Sequence, residues 1–120
     1  MEFTENQPIY LQIANIFCEN ILTQRWKPNE RIPSVRDIAV QMEVNPNTAM
    51  RSFVYLQEQG IIYNKRGIGY FVDEHGYEKS LELRRAEFIE KDLPVVMKTM
   101  KLLDISCQEM EELFKEKEHN

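Results

Sequence analysis

Val44-Asn45-Pro46-Asn47-Thr48 is the stretch on which the reading of this chain turns. Asn45 is a favoured helix N-cap, because its side-chain oxygen accepts one of the N–H groups that a first turn leaves without a partner. Pro46 follows at the first helical position, where its missing N–H costs nothing and its fixed φ is already helical. The stretch predicts a helix running through Ala49, Phe53 and Leu56 to a stop at Gly60. Just upstream, Ser34 with Asp37 three residues later forms the Asp version of a capping box. It opens a short helix that turns Val35, Ile38, Ala39 and Met42 inward and ends near Glu43. Two short helices joined by a tight turn have the lengths of a helix-turn-helix.

Residues 8–25 predict an earlier helix, started by Pro8, with Ile9, Ile13, Ile16, Phe17 and Leu22 at three- and four-residue spacing. Residues 26–30 form a turn, and Arg31-Ile32-Pro33 is extended because a residue before proline avoids the helical region. Beyond Gly60, Ile61-Ile62-Tyr63 and Tyr70-Phe71-Val72 flank a polar, glycine-bearing connection and predict a hairpin. Attached to a helix-turn-helix, that hairpin is a wing. Residues 73–76 form a linker, so residues 1–76 make a winged helix-turn-helix and residues 77–120 a helical tail. The expected class is mainly α (α+β), with a two-stranded wing and two tail helices.

At 120 residues the chain is the size of one domain, or of a small domain with an appendage. It contains no run approaching the roughly 20 apolar residues of a membrane span. Its first residues do not read as a signal peptide, so a cytoplasmic protein is expected. Cys18 and Cys107 are far apart and outside any CxxC, which predicts two reduced thiols rather than a disulfide or zinc site. The net charge of −5 argues against nucleic acid, but its distribution matters more. Within residues 31–72, Arg31, Arg36, Arg51, Lys65 and Arg66 outnumber Asp37, Glu43 and Glu58. Charges farther than about 10 Å are largely screened, so the local face decides.

On the helix that Asn45 caps, Asn47, Thr48 and Arg51 face away from Ala49, Phe53 and Leu56. Asn suits adenine edges, Thr can touch a thymine methyl, and Arg suits guanine or a phosphate. Taken alone, this could equally be a solvated helix face. Two further elements converge on the same surface. Lys65 and Arg66 stand at the hairpin tip beside Gly67 and Gly69, which let backbone approach a phosphate or a minor groove. Arg36 lies in the first turn of the preceding helix, where Ser34 offers a backbone N–H. Double-stranded DNA is the expected partner.

Four segments, Pro8–Ile13, Arg31–Ala39, Val44–Thr48 and Gly67–Val72, together resemble the GntR regulators in order and spacing. The resemblance implies that Arg36, Thr48, Arg51 and the wing around Gly67, with Tyr70, meet DNA. Many members carry Arg where this chain has Pro46 and Met50, so readout through those two arginines does not operate here. The Asn-Pro-Asn-Thr form is similar to the YtrA subfamily, which implies a short dimerising tail and control of neighbouring transport operons. Lys101–Ser106 followed by Glu109 resembles that subfamily's inter-helix turn.

The tail carries Leu81, Phe88, Ile89, Leu93, Val96, Met97, Met100 and Leu103 at helical spacing, interrupted by Pro94. A second capping box, Ser106 to Glu109, opens a last helix bearing Met110, Leu113 and Phe114. So short a segment cannot cover that stripe alone. It either folds onto the winged helix or pairs with a second copy, and homodimer pairing is the expectation. His75 and His119 read as surface residues, Met97 and Met100 as core, and Glu87, Glu90 and Asp92 as a solvated face. No nucleophile, base or phosphate loop stands out, so no enzyme, metal or cofactor is expected. No small-molecule effector is identifiable. The rival reading is a winged-helix interaction module that has lost DNA binding, which salt-dependent binding to promoter DNA would separate.

Overall fold

The computed structural model describes residues 2–4 and 6–119. Its elements are α1 (Ile9–Leu22), α2 (Val35–Met42), α3 (Pro46–Glu58), β1 (Ile62–Lys65), β2 (Gly69–Val72) and α4 (Gly76–Glu87). A π-helical turn at Phe88–Asp92, α5 (Leu93–Leu102) and α6 (Cys107–Glu118) complete the chain. It divides into two compact units, Met1–Arg84 and Arg85–Asn120.

The first unit has one core. α1 contributes Ile13, Ala14, Phe17, Cys18 and Ile21, so its buried stripe takes in Ala14, Cys18 and Ile21, while the expected Ile9 is exposed. Phe17 stands edge-on to Phe53 of α3 and to Trp26, at 5.2 and 5.0 Å between ring centres. Each fully buried ring of this kind is worth roughly 1.5–3 kcal/mol relative to exposure. Ser52 on α3 is fully buried, yet its Oγ donates to the Tyr10 carbonyl at 2.7 Å, a bond that ties α3 to α1. α1 ends earlier than residue 25, because Gln24 takes a left-handed φ of 64°.

Both caps of the helix-turn-helix form as the side chains dictate. Ser34 Oγ accepts from Asp37 N–H at 3.1 Å, and the Asp37 carboxylate accepts from Ser34 N–H at 3.3 Å. Asn45 Oδ1 accepts from Asn47 N–H at 2.8 Å, with Pro46 in the first turn of α3. Between them the chain reverses through Glu43 at φ 56°, and Val44 N–H returns to the Ala39 carbonyl.

β1 and β2 pair antiparallel, with Ile62 opposite Val72 and Lys65 opposite Gly69. The strands therefore reach past Tyr63, and the turn narrows to residues 66–68. The 29–32 segment lies along the other edge of β2, through Asn29 N–H to Val72 O, Val72 N–H to Glu30 O, and Ile32 N–H to Tyr70 O. Gly76, expected in a linker, instead opens α4 and is buried. A Cβ there would meet the Ile61 carbonyl oxygen at 2.8 Å, so α4 can start against this backbone because the residue is glycine. Ser80 is fully buried and Leu83 packs on the core, which carries the compact unit past Gly76 to Arg84.

In the second unit, the π turn directly precedes Leu93-Pro94. Proline has no N–H for the carbonyl four residues back and its ring crowds that carbonyl, so the helix widens by one turn. Asp104 at φ 56° ends the run, and Ser106 Oγ caps α6 by accepting from Glu109 N–H at 3.0 Å. Among the described residues of this unit none is buried.

Candidate nucleic-acid interface

At about 100° per residue, Ala49, Ser52, Phe53 and Leu56 form the buried side of α3. Asn47, Met50, Arg51, Val54 and Glu58 fall on the opposite side and are all exposed. Asn45 is exposed at the start of the helix and Thr48 is half-buried at the edge of this face. The N-terminal end of α3 carries the positive pole of the helix dipole. Arg51 does not extend freely: its guanidinium carbon lies 4.1 Å from the centre of the Tyr10 ring on α1. Tyr10 in turn stands edge-on to Tyr55. This arrangement fixes the direction of a long cation that would otherwise sample many rotamers.

On α2, Arg36 is exposed in the first turn. The Ser34 N–H, expected to meet a phosphate, is engaged by the Asp37 carboxylate in this structure. In the wing, Lys65 closes β1 rather than standing at the tip, and its Nζ lies 4.8 Å from the Phe71 ring centre. Phe71 stacks on Tyr63, whose hydroxyl donates to Asn29 Oδ1 at 3.1 Å. Arg66 and Gly67 are exposed at the turn. Gly67 has φ 79° with nothing within 4 Å of a Cβ position, an open approach to backbone that glycine adopts without strain.

Two further positions differ from the expectation. Tyr70, expected at DNA, has its ring half-buried 4.7 Å from Phe53 and braces the wing from beneath. Arg31, expected to add only local charge, passes its guanidinium beside Gly69. A Cβ at Gly69 would come within 3.0 Å of the Arg31 Nε, so a further cation sits at the wing's base. Its place at the start of the extended stretch before Pro33 is the signal that sequence offers for this role.

Residues 9–72 match the model of the gntR family of bacterial regulatory proteins. The chain belongs to the GntR family. Its relatives include YhcF of Bacillus subtilis (strain 168), an HTH-type transcriptional regulator, at 32% identity over 91% of this chain and 88% of YhcF. The HTH-type transcriptional repressor YtrA of the same bacterium is 38% identical over 57% of this chain and 52% of its own length. A solved GntR-family regulator from Bacteroides thetaiotaomicron is 41% identical, covers 93% of this chain and 99% of its own, and superposes with a TM-score of 0.74. This GntR chain is a DNA-binding transcriptional regulator and not an enzyme. No helix among its described residues is long and apolar enough to cross a membrane.

Proposed function

We propose that this GntR regulator represses transcription as a homodimer, setting two copies of α3 into successive major grooves of a pseudo-palindromic operator. In each half-site Asn47, Thr48 and Arg51 face base edges, with Asn45 at the helix entry. Arg36 meets one stretch of backbone, joined by the Ser34 hydroxyl because the Ser34 N–H is held by Asp37, while Lys65, Arg66 and Gly67 follow the flanking groove. Such a protein works beside the chromosome, in the bacterial cytoplasm.

The observation that carries this reading is the unburied tail. Phe88, Ile89, Val95, Val96, Met97, Leu102, Leu103, Leu113 and Phe114 are all exposed in the single chain. Monomeric proteins rarely expose a contiguous apolar patch beyond a few hundred Å². A second copy, bringing the same stripe, supplies a self-complementary cover. Val95 and Leu102 lie outside the stripe expected from sequence; their exposure adds a second apolar edge to α5.

Selection of duplexes from a random pool by the full chain, followed by footprinting, tests the reading. Two protected patches related by a two-fold axis, about one helical turn apart, are expected. Arg51→Ala should weaken the selected duplex by about 1–3 kcal/mol. A single asymmetric patch, or full affinity in the variant, rejects the arrangement.

A further inference from the structure

We infer that Met50 and Val54 are specificity-determining residues that read the 5-methyl groups of thymines in the major groove. The inference rests on the reading that α3 enters that groove. The core side of α3 is already filled, with Ala49, Phe53 and Leu56 at 0% exposure, so Met50 and Val54 are not spare core residues. They stand 42% and 44% exposed on the outer face. Four residues apart, they are neighbours on consecutive turns. With Tyr10, Arg51, Tyr55 and Glu58 they line a shallow hollow of about 300 Å³.

The chemistry selects the occupant. Arg51 is held on the Tyr10 ring, so the remaining reach of the outer face in its second and third turns is aliphatic. Of the groups that base edges present in the major groove, the thymine 5-methyl is the apolar one. Its burial against an aliphatic side chain is worth about four-fold in affinity. A protein partner fits less well, because a stable interface needs about 800 Å² from each side and this patch is a pair of side chains. The pair also continues the same stripe as Asn47 and Arg51, which face DNA in the proposed arrangement.

The test uses the full chain and the duplexes it selects from a random pool. Each thymine is replaced in turn by uracil, which differs by the missing methyl. For the wild-type chain, one or two replacements per half-site should weaken binding about four-fold each. Met50→Ala should make one of these positions insensitive to the exchange, and Val54→Ala a different one. Both side chains are substantially exposed, so the variants should unfold at wild-type urea concentrations, which a parallel titration checks. Indifference of the wild type to every exchange overturns the inference, as does undiminished discrimination in the double variant. Failure of the wild type to select any sequence is a separate result that defeats the placement of α3 itself, and the inference with it.

Discussion

Arg51 takes its direction from Tyr10, a residue on another helix. A cation over an aromatic ring at an exposed site gains about 0.5–1 kcal/mol, enough to hold one rotamer but not to define a fold. Tyr10→Ala should therefore weaken operator binding two- to five-fold, while Tyr10→Phe, which keeps the ring, should bind like the wild type. Fluorescence-anisotropy titrations on the selected duplex decide this. Undiminished binding by Tyr10→Ala would remove Tyr10 as a positioning residue, and further loss on adding Tyr10→Ala to Arg51→Ala would show that it acts by another route. That Arg51 faces outward is legible from helical spacing against Ala49, Phe53 and Leu56. Its contact with Tyr10 is not, because the meeting of α1 and α3 is a tertiary event with no local signal. Tyr70 is different, since its signal is present in the strand. Residues two apart in a strand share a face, so Tyr70 goes inward with fully buried Val72.

The elements are most readable where side chains act on their own backbone. Ser34 with Asp37, and Asn45 with Pro46, fix both helix starts through contacts spanning three residues or fewer. The turn between those helices passes through Glu43 in a left-handed conformation, and glutamate carries no signal for that. Pro94 announces an interruption, but whether the helix kinks or widens into a π turn depends on how the crowded carbonyl is relieved. Two predictions belong at this scale. Replacing Lys65 and Arg66 together by Ala should make the dependence of log affinity on log salt shallower, by about 0.9 for each phosphate that is no longer neutralised. An unchanged slope would take the wing off the backbone. On α4, Ser80 Oγ is fully buried with no hydrogen-bond partner among the described residues. Such a group carries a desolvation cost of about 1–3 kcal/mol. Ser80→Ala should therefore hold or raise the urea midpoint, and a loss of more than about 1 kcal/mol of unfolding free energy would mean that the hydroxyl has a stabilising role.

At the scale of the whole molecule, a net charge of −5 would send a reader away from DNA, while the excess of cations in residues 31–72 points back to it. Both are true of one chain because screening makes recognition local. The tail poses the matching question for stability. Every residue of the core and its packed rim lies at or before Leu83, whereas nothing described in Arg85–Asn120 is buried. The first unit therefore holds its core from its own residues, whereas the second has an apolar stripe and no interior of its own, which the proposed second copy would supply. Placing charge in that stripe, as Ile89→Glu with Leu113→Glu, should leave the urea midpoint of the winged helix near wild type. It should also bring the sedimenting mass from twice the 14.3 kDa chain down to a single chain. DNA binding should divide accordingly. Affinity for an isolated half-site should hold, because α3 and the wing are untouched. Affinity for the full palindrome should fall roughly 10²–10⁴-fold, the advantage that linkage gives when a second site is engaged at high effective concentration. A variant that remains a dimer, or one that becomes a monomer yet keeps full affinity for the palindrome, would show that the tail does not join the two reading heads.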